Sequence, residues 1–96
     1  LNMLFGNKIR ALRDEQGVLQ RQLAAYLEID TPMFSKIERG DRRAKRSQVI
    51  MLAEYFRVDE KEMLTLWLAD KILDALGVFS VPVMEFLAPA IREELT

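Results

Sequence analysis

The sequence contains no cysteine and no histidine. Without cysteine there is no disulfide framework and no thiolate metal site; without histidine the commonest metal ligand and the usual general base are missing. No carboxylate pair sits in an evident apolar cleft, so the chain is not expected to be an enzyme, and no metal or cofactor is implied. No apolar run approaches the roughly 20 residues that a bilayer-spanning helix requires. The opening residues LNMLFGNKIR also lack the apolar core of a secretory signal. Both absences lead to the expectation of a cytoplasmic protein without a membrane partner.

What is present is 96 residues, half of them apolar, enough for one domain with a modest core and too few for two independent ones. The formal net charge of −1 conceals a division. From Leu1 to Ala53 ten basic residues face six acidic ones, giving +4; from Glu54 onward four basic residues face nine acidic ones, giving −5. A polyanion would be attracted to the first part and repelled by the second.

The most specific stretch is Gln20 to Gly40, QRQLAAYLEIDTPMFSKIERG. Leu23, Ala24 and Leu27 place one apolar face on a first short helix, and Phe34 and Ile37 do the same for a second. Helices this short need a further element to cover them. The flanks supply it. Leu4, Phe5, Ile9 and Leu12 recur at helical spacing, predicting a helix from about Met3 to Gln16 that stops at Gly17. Leu19 then stands where a capping Ser, Thr or Asp is expected, a defect of about 1 kcal/mol. Asp30 or Thr31 caps the next helix, and Pro32 suits its first turn, where a missing N–H costs nothing. Phe34 and Ile37 face inward, leaving Thr31, Pro32, Met33, Ser35, Lys36 and Arg39 outward.

Asp41 to Arg46, DRRAKR, carries four cations in six residues. Such a run is either a solvated connector or an anion-binding loop. Arg46 or Ser47 opens a fourth helix through Val49, Ile50, Leu52, Ala53 and Phe56, which closes over the first three.

These residues carry a family resemblance. Phe5, Ile9, Arg13, Gly17, Gln20, Leu23, Ala24, Ser35, Ile37, Glu38, Gly40, Leu52, Ala53 and Val58 form a pattern that resembles the phage repressor and Cro-like helix-turn-helix regulators. The likeness covers the first two thirds of the chain and is specific because QxxLA and SKIExG occur together at the family's separation. It implies an all-α, five-helix repressor-like domain over residues 1–65, whose third helix enters the major groove of double-stranded DNA. By position, Thr31, Pro32 and Lys36 would read bases, with Met33 and Ser35 nearby. Lys36 suits guanine O6/N7 and Met33 a thymine methyl. Pro32 has no side-chain donor and Thr31 a short one, which narrows the discrimination. Gln20, Arg39, Arg42, Arg43, Lys45 and Arg46 match places that hold the sugar–phosphate backbone, although Gln20 also reads as a plain solvent-facing glutamine. Arg13 and Glu38 match a structural pair that fixes the recognition helix against the first. Glu28 stands where many relatives have glycine with positive φ, so either a strained residue or an altered turn follows. A bacterial or phage-type, nucleoid-associated protein is implied; restriction–modification controllers and phage or plasmid regulators both suit the size.

Beyond Val58, Asp59 with Glu62 resembles a capping box, and a helix is predicted from Glu60 to Leu76, stopping at Gly77. Leu64, Leu68, Ile72 and Leu76 form one stripe, while Met63, Leu66, Trp67 and Leu73 widen the apolar arc beyond what one contact surface needs. Ser80 and Pro82 look like a further helix start, and Pro89 either kinks the last helix or divides it. Residues 66–96 are therefore expected to be a helical dimerisation extension, with Leu68, Ile72, Leu73, Leu76, Phe79, Val83, Phe86, Leu87 and Ile91 at the interface. The alternatives are a tail folded back on its own domain, or a protein-interaction module, such as an antitoxin or adaptor, that binds another protein through these helices. The sequence reading as a whole is a transcriptional regulator, a repressor that meets a palindromic operator as a homodimer, with no small-molecule ligand.

Overall fold

The computed structural model describes residues 3–77, and among these the chain is all-α. The helices are α1 (Leu4–Gln16), α2 (Gln20–Leu27), α3 (Thr31–Arg39), α4 (Arg46–Phe56) and α5 (Glu60–Ala75). None is long and apolar enough to cross a membrane. The expected elements around Ser80, Pro82 and Pro89 lie outside the described residues.

Each end has a local cause. Gly17 takes the left-handed conformation at φ 66°, and Val18 N–H reaches back to the Arg13 carbonyl at 2.9 Å, which closes α1. Leu19 contributes no side-chain acceptor to α2; instead Gln22 Oε1 accepts from the Leu19 N–H at 2.7 Å, so only the reciprocal half of a capping box forms. Of the two candidate caps for α3, Asp30 serves, its Oδ1 accepting from Met33 N–H at 2.7 Å. At the start of α4, Lys45 occupies the cap position and Gln48 Oε1 accepts its N–H at 2.9 Å. Asp59 caps α5 through Lys61 N–H at 3.0 Å. Glu62 does not complete the expected box with it; its carboxylate lies 3.6 Å from Lys8 Nζ.

The turn between α2 and α3 places a non-glycine residue in the left-handed conformation. Glu28 sits at φ 59°, ψ 41°, and Ile29 N–H bonds the Ala24 carbonyl at 3.0 Å. Of the two outcomes open for Glu28 the strained residue is the one realised. Arg57 does the same after α4, at φ 56°.

All five helices feed one core. Ile9, Leu23, Phe34, Val49, Leu52 and Met63 are completely or almost completely buried, each contributing about 1.5–3 kcal/mol of transfer free energy. That shared burial holds α2 and α3, of 8 and 9 residues, which are too short to persist alone. Gly6 of α1 sits directly against α3, where an added Cβ would overlap the carbonyl oxygen of Glu38.

The inner face of α5 is Met63, Trp67, Asp70 and Leu73. Trp67 Nε1 donates to the Ala44 carbonyl at 2.8 Å, pinning the loop between α3 and α4. Asp70 reaches the start of α1, where Met3 offers no cap: Oδ1 accepts from Leu4 N–H at 2.9 Å and Oδ2 from Phe5 N–H at 3.0 Å. Burial pushes the Asp70 carboxyl up; these two N–H groups oppose the shift, yet it stays above its ordinary value. Leu68, Ile72 and Leu76 form an exposed outer stripe, Leu76 at 70 %. Leu73 departs from the expectation that put it with them: three residues after Asp70 it shares the inner face and is buried.

Candidate nucleic-acid interface

The surface of interest is built on α3. Asp30 starts the helix, Phe34 and Ile37 anchor it, and Gly40 stops it at φ 80°. With that face inward, Thr31, Pro32 and Lys36 are exposed and Met33 and Ser35 half-buried. Ser35 Oγ lies 3.3 Å from Arg39 Nη1, and Arg39 Nε is 3.1 Å from Asp41 Oδ2, so Arg39 is tied to its own helix end. Lys36 has no ion pair among the described residues.

The loop from Asp41 to Lys45 passes beside α3. Arg42, Arg43, Lys45 and Arg46 are exposed, while Ala44 between them is buried under Trp67. Arg43 Nη2 is 3.3 Å from Asp74 Oδ2, a link from the loop to the far end of α5. Arg42, Lys45 and Arg46 make no ion pair among the described residues. Arg42, Lys45 and Arg46 are thus exposed and Arg43 is turned to Asp74, around a buried alanine that fixes the backbone.

Behind this surface lies Glu38, whose side chain is wholly buried. Arg13 grips it bidentately, Nε to Oε2 and Nη2 to Oε1, both at 2.7 Å, and spends Nη1 on the Val18 carbonyl at 3.1 Å. Gln20 Nε2 donates to Oε1 at 3.1 Å and Arg10 Nε to the same oxygen at 3.3 Å. Burial alone would raise the Glu38 carboxyl; the bonds from Arg13 and Gln20, with the Arg13 charge, outweigh it and hold the group below its ordinary value. In return the hydrogen bond to Glu38 raises Arg13.

The structure thus brings Arg13, Gln20 and Glu38 into one network, whereas the sequence reading had Gln20 only as a backbone-holding or solvent-facing residue. One of its amide hydrogens is used inside the protein. Reasoning from sequence also missed Arg10, although it lies one turn before Arg13 on the same face. It missed Asp70 too, which was signalled only by a polar residue amid the apolar arc of α5 and by the absence of a cap on α1. Of the expected interface residues, Leu68, Ile72 and Leu76 are exposed, Leu73 is buried, and Phe79, Val83, Phe86, Leu87 and Ile91 lie outside the described residues.

Comparison with known families places a helix-turn-helix domain over residues 4–66, which takes in α1 to α4 and the first turns of α5. No curated protein and no solved structure matches the chain.

Proposed function

Because the chain belongs to the helix-turn-helix domain family, we propose that it is a sequence-specific DNA-binding regulator, a repressor that occupies a palindromic operator as a homodimer. The observation that carries this reading is the exposed outer face of α3, centred on Lys36 and continued by Arg42, Arg43, Lys45 and Arg46. In it Thr31, Pro32, Met33, Ser35 and Lys36 meet base edges, and Lys36, a flexible donor with no ion pair among the described residues, takes the guanine contact. Gln20, Arg39 and the loop cations hold phosphates and provide affinity without reading sequence. Arg13 and Glu38 set the angle of α3.

One helix of this length reads few base pairs, so two copies about one DNA turn apart are required for a specific site. The exposed stripe Leu68, Ile72 and Leu76 along α5 and its C-terminal end is the surface on which the copies join. The same stripe would serve the second reading, a module that binds a different protein.

Selection of bound duplexes from a random pool, at stated salt, tests the proposal. Enrichment of an inverted repeat with half-sites about 10–10.5 base pairs apart is expected; a pool that shows no enrichment overturns it. Sedimentation of the chain ending at Gly77 tests the assembly: loss of the dimer is expected, and a tight dimer defeats the role given to the segment after it.

A further inference from the structure

The Glu38 network is unbalanced in charge. Two guanidinium groups, Arg10 and Arg13, share one carboxylate. Arg13 alone is sufficient to neutralise it, for its fork spans both oxygens and its side chain is only 14 % exposed. Oε1 then accepts from Arg13 Nη2, Gln20 Nε2 and Arg10 Nε at once, and the Arg10 contact, at 3.3 Å, is the longest of the three. Arg10 is thus the surplus cation, with its side chain 54 % exposed and no hydrogen bond from either terminal nitrogen among the described residues.

Its position is defined all the same. The Nε bond holds the guanidinium on Glu38 Oε1, the oxygen that also accepts from the Gln20 amide at the start of α2, so the two side chains meet at one acceptor. A guanidinium that is pre-oriented through Nε and still carries uncompensated charge is suited to a planar or tetrahedral oxyanion.

Building on the DNA-binding reading above, we propose that Arg10 is a phosphate ligand for the duplex backbone beside Gln20, with Glu38 as the residue that positions both. The buried acid then has two tasks: it fastens α3 to α1 through Arg13, and it aims Arg10 and Gln20 at the strand.

The test is the salt dependence of duplex binding by the full chain, with Arg10→Ala, Arg10→Lys and, as a control on the opposite side of α1, Lys8→Ala, which removes a cation paired with Glu62. A defined duplex and a random-sequence duplex are both titrated. Arg10→Ala should lower the slope of log affinity against log salt by about 0.9 on both duplexes, with a roughly five- to ten-fold loss of affinity near 0.1 M salt. Arg10→Lys should keep the slope, and Lys8→Ala should leave it unchanged. Thermal melting of each variant monitors folding, and if Arg10→Ala melts early the comparison is made with Arg10→Gln. A wild-type slope that survives in the neutral variants overturns the role of Arg10 and leaves the DNA-binding reading standing. A wild-type chain that shows no salt-dependent binding to either duplex overturns both.

Discussion

Replacing Asp70 by alanine removes the acceptor for two backbone donors at the first turn of α1, Leu4 N–H and Phe5 N–H, bonded at 2.9 and 3.0 Å. Phe5 is buried, so its N–H would be left without water or partner, a loss of about 1–3 kcal/mol; the more accessible Leu4 N–H adds roughly the 0.5–1.5 kcal/mol of an ordinary hydrogen bond. Against this, alanine also ends the burial of a charge, a cost visible in the raised Asp70 carboxyl. The net expectation is about 2 kcal/mol of destabilisation near neutral pH, a fall in melting temperature of roughly 8–16 °C for a domain of this size. Asparagine keeps one carbonyl acceptor without the charge and should lose less than half as much. The pH dependence has a definite sign. Because the folded-state carboxyl binds its proton more tightly than the unfolded one, with an ordinary value of 3.8, the stability it contributes is greatest below that value and declines as pH rises through the raised one. The advantage of the wild type over Asp70→Ala, read by urea titration with circular dichroism, should therefore widen as pH is lowered toward 4. An alanine variant within 0.5 kcal/mol of wild type at both pH values would refute the reasoning.

Glu38→Gln should destabilise by about 3 kcal/mol, since it leaves the Arg13 charge partly buried without its partner. It should also flatten the acid limb of the stability profile: the folded Glu38 carboxyl lies below its ordinary 4.5, so its contribution is present above that value and lost as pH falls through the lower one. Gly6→Ala should cost at least about 2 kcal/mol in denaturant titrations, because α1 and α3 must separate to clear the Glu38 carbonyl oxygen; a neutral outcome would mean that the two backbones do not approach this closely. Glu28→Gly relieves a left-handed residue at φ 59° and should raise stability by about 0.5–1 kcal/mol after the entropy of glycine is subtracted, as a higher urea midpoint would show. Lys36→Ala should weaken binding to the selected operator more than to random duplex, whereas Arg43→Ala should weaken both and lower the salt slope by about one; equal effects would remove Lys36 from base reading.

What could be read from the sequence was whatever is governed by neighbours in the chain. Gly17 and Gly40 mark helix ends because the residue that closes a helix there takes a positive φ, and Asp-Thr-Pro announces α3 because cap and first turn are adjacent. The inward faces of α1 to α4 follow from 3.6-residue spacing alone. Asp70 was not legible in this way, since the donors that explain it lie 65 and 66 residues earlier. The Trp67 indole was counted as surplus apolar surface, although its N–H closes on Ala44, 23 residues away. Leu73 was expected at the interface because it belongs to an apolar arc wider than one contact surface needs; only the placement of α5 against α1 shows which side of that arc is covered. For the candidate site, the exposure of Lys36 and the loop cations was foreseeable, whereas the sharing of Glu38 by Arg10, Arg13 and Gln20 depends on how α1, α2 and α3 converge.

The rod-like α5 has no joint between its two faces. On one side Trp67 and Asp70 are bolted to the α3–α4 loop and to the head of α1; on the other, Leu68 and Ile72 are exposed. Two copies coupled along that outer side would hold their reading helices at one separation and one twist, with no swivel to absorb a misfit. An operator lengthened by a single base pair, which rotates one half-site by about a tenth of a turn, should then be bound by one copy at a time.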